Sequence, residues 1–102
     1  MTLEEVKILF QSEELKELCR QYGVVRLSVF GSTARNEATE QSDLDLLVSF
    51  SSLEKFGLLE FIAFEDRLAK ATHKKVDLVM EDSLKGRRAE SIRHDAQVIY
   101  AT

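Results

Sequence analysis

Two aspartates open the most hydrophobic stretch of the chain, Ser42-Asp43-Leu44-Asp45-Leu46-Leu47-Val48. Aspartate is a poor strand former, so a pair at the mouth of a Leu/Val strand needs a reason. Positions two apart in a strand point to the same face, which directs both carboxylates to one site. Carboxylates that close repel each other and resist burial unless something cationic lies between them. A hard divalent ion such as Mg²⁺ meets that need, because it takes oxygen ligands and leaves places for phosphate and water. Taken alone, Asp-x-Asp fits equally well a turn capped by Asp43 and followed by an Asp45 that merely faces solvent.

Two further features change the balance. Asp77 sits inside another apolar stretch, Lys74-Lys75-Val76-Asp77-Leu78-Val79, and can join the pair if that strand neighbours the second. Upstream, Gly31-Ser32 follows directly on a run ending at Phe30. Glycine lets the backbone approach a ligand closely, while free amides and the Ser32 hydroxyl can bond phosphate oxygens. A phosphate-binding turn and three acids, close enough to share an ion, are therefore expected at one edge of a sheet.

The elements that must position these residues are legible from pattern. Thr2 and Glu5 have capping-box spacing and open a short helix carrying Leu3, Val6, Leu9 and Phe10. Ser12 is a second N-cap, with Leu15, Leu18, Cys19 and Tyr22 on one face and Gly23 to end the helix. Cys19 reads as core, since no histidine lies near it in sequence. Val24–Phe30 is predicted to be a strand, and residues 31–41 a loop leading into a short helix. Leu44–Phe50 is a second, central strand because it is almost continuously apolar. Leu58, Phe61, Ile62, Leu68 and Ala69 mark a helix, with Leu59 and Phe64 widening its apolar face and Phe56 just before it. Core packing accounts for that face, and a partner surface is the second reading. Glu65 falls within the same stripe, where it either reaches past the rim or pairs with a lysine. Val76–Met80 forms a third strand, Asp82 or Ser83 caps a last helix through Arg93, and Val98–Tyr100 adds an edge strand or simply packs. The alternation predicts an α/β fold, a small mixed sheet packed with helices.

Phe30-Gly31-Ser32-Thr33-Ala34-Arg35, ten residues between Ser32 and Asp43, then Ser42-Asp43-Leu44-Asp45-Leu46 resemble the signature of the DNA polymerase β-type nucleotidyltransferase superfamily. More narrowly, the chain resembles the minimal nucleotidyltransferases, the MNT partners of HEPN proteins in toxin–antitoxin pairs. The likeness runs through nearly the whole chain, because Asp77 also stands where that family places its third acid. It implies a polymerase β-like palm that moves AMP from ATP to a hydroxyl, specifically a tyrosine of a cognate HEPN toxin. It implies that Asp43 and Asp45 hold ions bridging the phosphates, and that Asp77 binds a second Mg²⁺ and activates the acceptor. Gly31 and Ser32 would grip the β- and γ-phosphates. Arg35 is either a phosphate ligand or a surface ion pair. Ser42 either joins the nucleotide site or only orients the turn before Asp43.

Composition narrows the alternatives. The 102 residues are 44% hydrophobic, without proline and with a single cysteine, which suits one domain over 1–102 and excludes an internal disulfide. No charged-then-apolar leader and no apolar run near ~18 residues is present, so a cytoplasmic protein is expected. A net charge of −4 argues against a nucleic-acid binder held by phosphate neutralisation. The basic stretches Arg67, Lys70, Lys74, Lys75 and Lys85, Arg87, Arg88, Arg93, His94 read as solvated helix faces, a few of which could screen a polyphosphate. His73 and His94 lack partners at metal-ligand spacing and read as structural or exposed. Two competing functions remain: an antitoxin that neutralises its toxin by occlusion, and an aminoglycoside-type transferase completed by a dimer mate. A neighbouring HEPN gene would favour either antitoxin reading over the small-molecule one.

Overall fold

A computed structural model describes residues 1–51 and 57–102, so Phe56 lies outside the described residues. Helix α1 (Leu3–Leu9) opens with the expected capping box. The Thr2 hydroxyl accepts from the Glu5 amide and Glu5 Oε1 accepts from the Thr2 amide, both at 3.1 Å. The exchange satisfies two donors that a bare first turn would leave orphaned. Ser12 caps α2 (Glu13–Gln21) by accepting from the Leu15 amide at 3.3 Å. Gly23 then turns the chain with a φ of 67°, a left-handed value that suits glycine. Cys19 is fully buried on α2, and burial pushes its thiol up to about 12, as befits a core side chain.

Four strands, β1 (Val24–Phe30), β2 (Leu44–Phe50), β3 (Val76–Met80) and β4 (Gln97–Ala101), form one mixed sheet in the order β3-β2-β1-β4. β1 runs antiparallel to β2 and β4, whereas β2 and β3 are parallel. A parallel pair needs a crossover, and α4 (Leu58–Thr72) provides it. Leu27, Val29, Leu44, Leu46, Val48, Val76 and Leu78 meet Val6, Phe10, Leu15, Phe64 and Leu68 in the main core, so α1, α2 and α4 cover one face. On the other face Phe30 and Leu47 pack with Ile92 of α5 (Gly86–Asp95), joined by Val79, Leu84 and Ala96. The tail becomes the edge strand β4 rather than loose packing.

Three local expectations are corrected. The short helix comes first: α3 (Gly31–Ala34) starts straight after β1, and the loop follows it. A φ of 71° at Gly31 turns the chain off the strand at once, so no loop is needed before the helix. The last helix begins later than predicted. Ser83 donates its hydroxyl to the Met80 carbonyl at 2.8 Å within a 3-10 turn, Glu81–Ser83, and α5 starts at Gly86 without a side-chain cap. Leu84 stays extended and packs in the second cluster, which keeps the two helical segments apart. Finally, α4 does not bury its whole apolar face: Leu58, Leu59 and Ile62 are exposed, and the buried positions are Phe64, Leu68 and Thr72 in later turns.

Glu65 answers a question of its own. Its Oε2 accepts from the Leu78 amide at 3.0 Å. β3 is an edge strand, and the carboxylate takes an outward N–H that would otherwise be open to another chain. His73 ends α4 in the left-handed conformation, φ 57°, and both histidines are exposed.

Candidate active site

The sheet register builds the site. Phe30 at the end of β1 pairs with Asp45 on β2, and Asp45 pairs with Asp77 on β3. The three stand abreast, so Asp45 and Asp77 share a face on strands about 4.8 Å apart. That face belongs to the smaller cluster: Leu47 and Val79, two residues beyond each acid, lie in it. Asp43 lies two residues before Asp45, just ahead of the strand, and is exposed like Asp77. Asp77 sits on the sheet edge, whereas Asp45 is half-buried between neighbours.

Gly31 lies against the Asp45 carboxylate. A Cβ added at Gly31 would collide with Asp45 Oδ2 and stand 3.2 Å from its Cγ. Glycine is thus required twice, for the left-handed backbone and for the space the carboxylate occupies. Ser32, the next residue, is half-buried, and among the described residues its hydroxyl has no hydrogen-bond partner. Thr33 is buried beneath the turn.

Burial raises the Asp45 carboxyl above its ordinary value, and the nearby Asp77 and Asp43 charges raise it further, while Arg88 and Arg35 pull it back. Asp45 therefore feels both other acids, Asp77 from the neighbouring strand and Asp43 from just ahead of its own. Among the described residues no group of three His, Cys, Asp or Glu side chains is placed to hold a metal ion, so the three acids do not stand close enough to share one as expected. Mutually repelling carboxylates do not close on one another unaided. An all-oxygen donor set with this field fits a hard divalent cation rather than a soft one.

The flanking residues divide differently. Arg35 donates from Nε to Glu37 at 3.1 Å and from Nη1 to Asp95, tying the end of α3 to α5. The Ser42 hydroxyl accepts from the Thr39 amide at 3.0 Å and lies 3.3 Å from the Thr39 hydroxyl, so it braces the turn ahead of Asp43. Lys74 Nζ donates to the Glu40 carbonyl at 2.8 Å across the same turn. Arg88 is the cation that the sequence left among solvated charges. No spacing rule marks it, because its pull on the Asp45 carboxyl arises only once α5 packs on the sheet.

Known proteins resemble this chain in sequence and in fold. The nucleotidyltransferase domain family matches residues 12–99. Protein adenylyltransferase MntA of Thermococcus cleftensis is 40% identical over 98% of this chain and 96% of its own. A solved structure assigned as a minimal nucleotidyltransferase is 39% identical, covers 95% of both chains and superposes with a TM-score of 0.74. A chain from the complex of tri-AMPylated Shewanella oneidensis HEPN toxin with MNT antitoxin shares the fold at 16% identity, with a TM-score of 0.66 over 99% of this chain and 74% of that one. With a match across most of its length and a full-length relative at that identity, the chain belongs to the nucleotidyltransferase domain family, on its minimal, MntA-like side, and is an enzyme of that class.

Proposed function

We propose that residues 1–102 act as one cytoplasmic protein adenylyltransferase domain, moving AMP from ATP to a tyrosine hydroxyl of a cognate HEPN toxin. The observation that carries this reading is the register that sets Asp45 beside Asp77 with Gly31 against the Asp45 carboxylate. The protein acceptor and the toxin partner draw on the MntA relative and on the AMPylated complex that shares the fold, and the choice of tyrosine on the family resemblance.

The acceptor oxygen attacks the α-phosphorus in line, the new P–O bond forms as the Pα–O bond to the β-phosphate breaks, and pyrophosphate leaves. Asp43, Asp45 and Asp77 would hold Mg²⁺, two ions by family resemblance, and when bound the metal supplies charge compensation for the attacking and leaving oxygens. The Ser32 hydroxyl and the backbone at Gly31 bind the β- and γ-phosphates. Asp77, exposed on the edge strand, is reachable by a protein-borne hydroxyl and takes its proton. Arg35 and Ser42 support the site, the first by joining α3 to α5 and the second by bracing the turn before Asp43. Positioning and electrostatics account for most of what the side chains contribute.

The test combines Asp43→Asn with Asp45→Asn, which preserves volume and removes two charges. The folded double variant should still bind its toxin yet leave it unmodified and toxic, with mass spectrometry following AMP and a growth assay following toxicity. Full protection without any modified toxin would establish occlusion in place of catalysis.

A further inference from the structure

The turn that follows α3 is closed in a way that reaches back to Ser32. Asn36 has a φ of 58°. Its amide donates to the Thr33 carbonyl at 3.1 Å, and the Glu37 amide donates to the Ser32 carbonyl at 2.8 Å. A left-handed residue between these two bonds is a Schellman close, in which the third residue from the helix end lends its carbonyl to the chain beyond. In a helix as short as α3 that third residue is Ser32. The Ser32 backbone is therefore held by whatever holds Asn36 and Glu37.

Glycine is the usual occupant of such a left-handed position, and asparagine is among the few other residues that tolerate it. Here the side chain has a second task. Asn36 Oδ1 accepts from the Leu3 amide at 3.0 Å, across thirty-three positions of sequence. That amide belongs to the first turn of α1, whose donors have no helical carbonyl to reach. The capping box occupies those of Thr2 and Glu5, and Asn36 takes that of Leu3. α1 makes a firm anchor, because Val6 and Phe10 are buried in the main core with Leu3 packed against it. On the other side of the turn Arg35 reaches Asp95 of α5, the helix that packs on the opposite sheet face. The chain just after Ser32 is thus tethered to helices on both faces of the sheet.

From this arrangement we propose that Asn36 is a positioning residue for the nucleotide, its bond to α1 holding Ser32 in the pose that meets the phosphates. The inference rests on the reading of Gly31 and Ser32 as the phosphate-binding turn. Glycine at position 36 would serve the backbone alone, whereas a side-chain acceptor also ties the turn to α1. Without that tie the turn samples other poses, and ATP binds only the competent fraction, which lowers its apparent affinity. The worth of one exposed hydrogen bond sets the limit, so the loss is about threefold and at most about tenfold.

Calorimetry with ATP and Mg²⁺ on three variants of the full chain tests the assignment. Asn36→Gly keeps the left-handed backbone and removes the tether. It should bind ATP about threefold to tenfold more weakly, with little change in melting temperature. Asn36→Asp restores an acceptor oxygen and should recover most of the affinity. Ser12→Ala, which removes the cap of α2, should lower the melting temperature and leave ATP affinity unchanged. Equal ATP affinity in Asn36→Gly and the unaltered protein would overturn the proposal while leaving the site reading in place. An Asn36→Asp variant as weak as Asn36→Gly would do the same, as would an equal loss of affinity in Ser12→Ala. No ATP binding by the unaltered protein would remove the phosphate-turn reading and this proposal with it.

Discussion

Gly31→Ala tests directly how the turn and the carboxylate fit together. The residue has a φ of 71°, and forcing an L side chain into the left-handed region costs about 1–2 kcal/mol. The new Cβ would also collide with Asp45 Oδ2, so that side chain must swing off its preferred rotamer for about another 0.5–1.5 kcal/mol. Together the terms give roughly 1.5–3.5 kcal/mol, a fall in melting temperature on the order of 5–30 °C for a domain of this size. Gly86→Ala is a matched control, since Gly86 also begins a helix at positive φ, 75°, but nothing lies within 4 Å of its added Cβ. It should show the backbone cost alone. In an Asp45→Ala background the Gly31→Ala cost should drop to the Gly86 value, a coupling of about 0.5–1.5 kcal/mol. Thermal and urea unfolding of the four variants measure these differences. If Gly31→Ala costs no more than Gly86→Ala, or adds independently to Asp45→Ala, the close approach does not shape the site.

Two further outcomes follow from other contacts. Because the Asp45 pKa is raised, the folded state holds that proton more tightly than the unfolded chain, so the group's contribution is full below the ordinary carboxylate value of 3.8 and is lost as pH rises through the folded value. Asp45→Asn should therefore stabilise the metal-free protein at pH 7 with a smaller effect in acid, and an unchanged or lower urea midpoint at pH 7 would contradict this. Glu65→Ala should destabilise by about 1–3 kcal/mol by leaving the Leu78 amide without its carboxylate acceptor, and Glu65→Gln should lose less. Faster hydrogen exchange at Leu78 in the alanine variant is the specific readout, and an unaltered rate would remove Glu65 from that role.

Local chemistry was readable from the chain alone. The capping box at Thr2 and Glu5, the cap at Ser12, the turn at Gly23 and the three apolar strands each depend on neighbours a few residues away, so periodicity and side-chain type suffice. The same holds for the candidate site in outline, because Asp43 and Asp45 flank the start of one strand and Gly31 directly follows another. Placing Asp77 beside them required a condition, that β3 neighbour β2, which depends on a crossover through α4 and is fixed by the packing of the whole sheet. Glu65 was ambiguous for a related reason. Its carboxylate bonds a backbone amide thirteen residues away, on a strand edge that exists only once the sheet order is set. Start points of α3 and α5 shifted because a positive φ at glycine and the burial of Leu84 outweighed nearby capping residues. Arg88 shows the division most clearly: sequence gives its charge, but its pull on the Asp45 carboxyl arises only in the folded chain, since long-range electrostatic neighbours are decided by where packed surfaces meet.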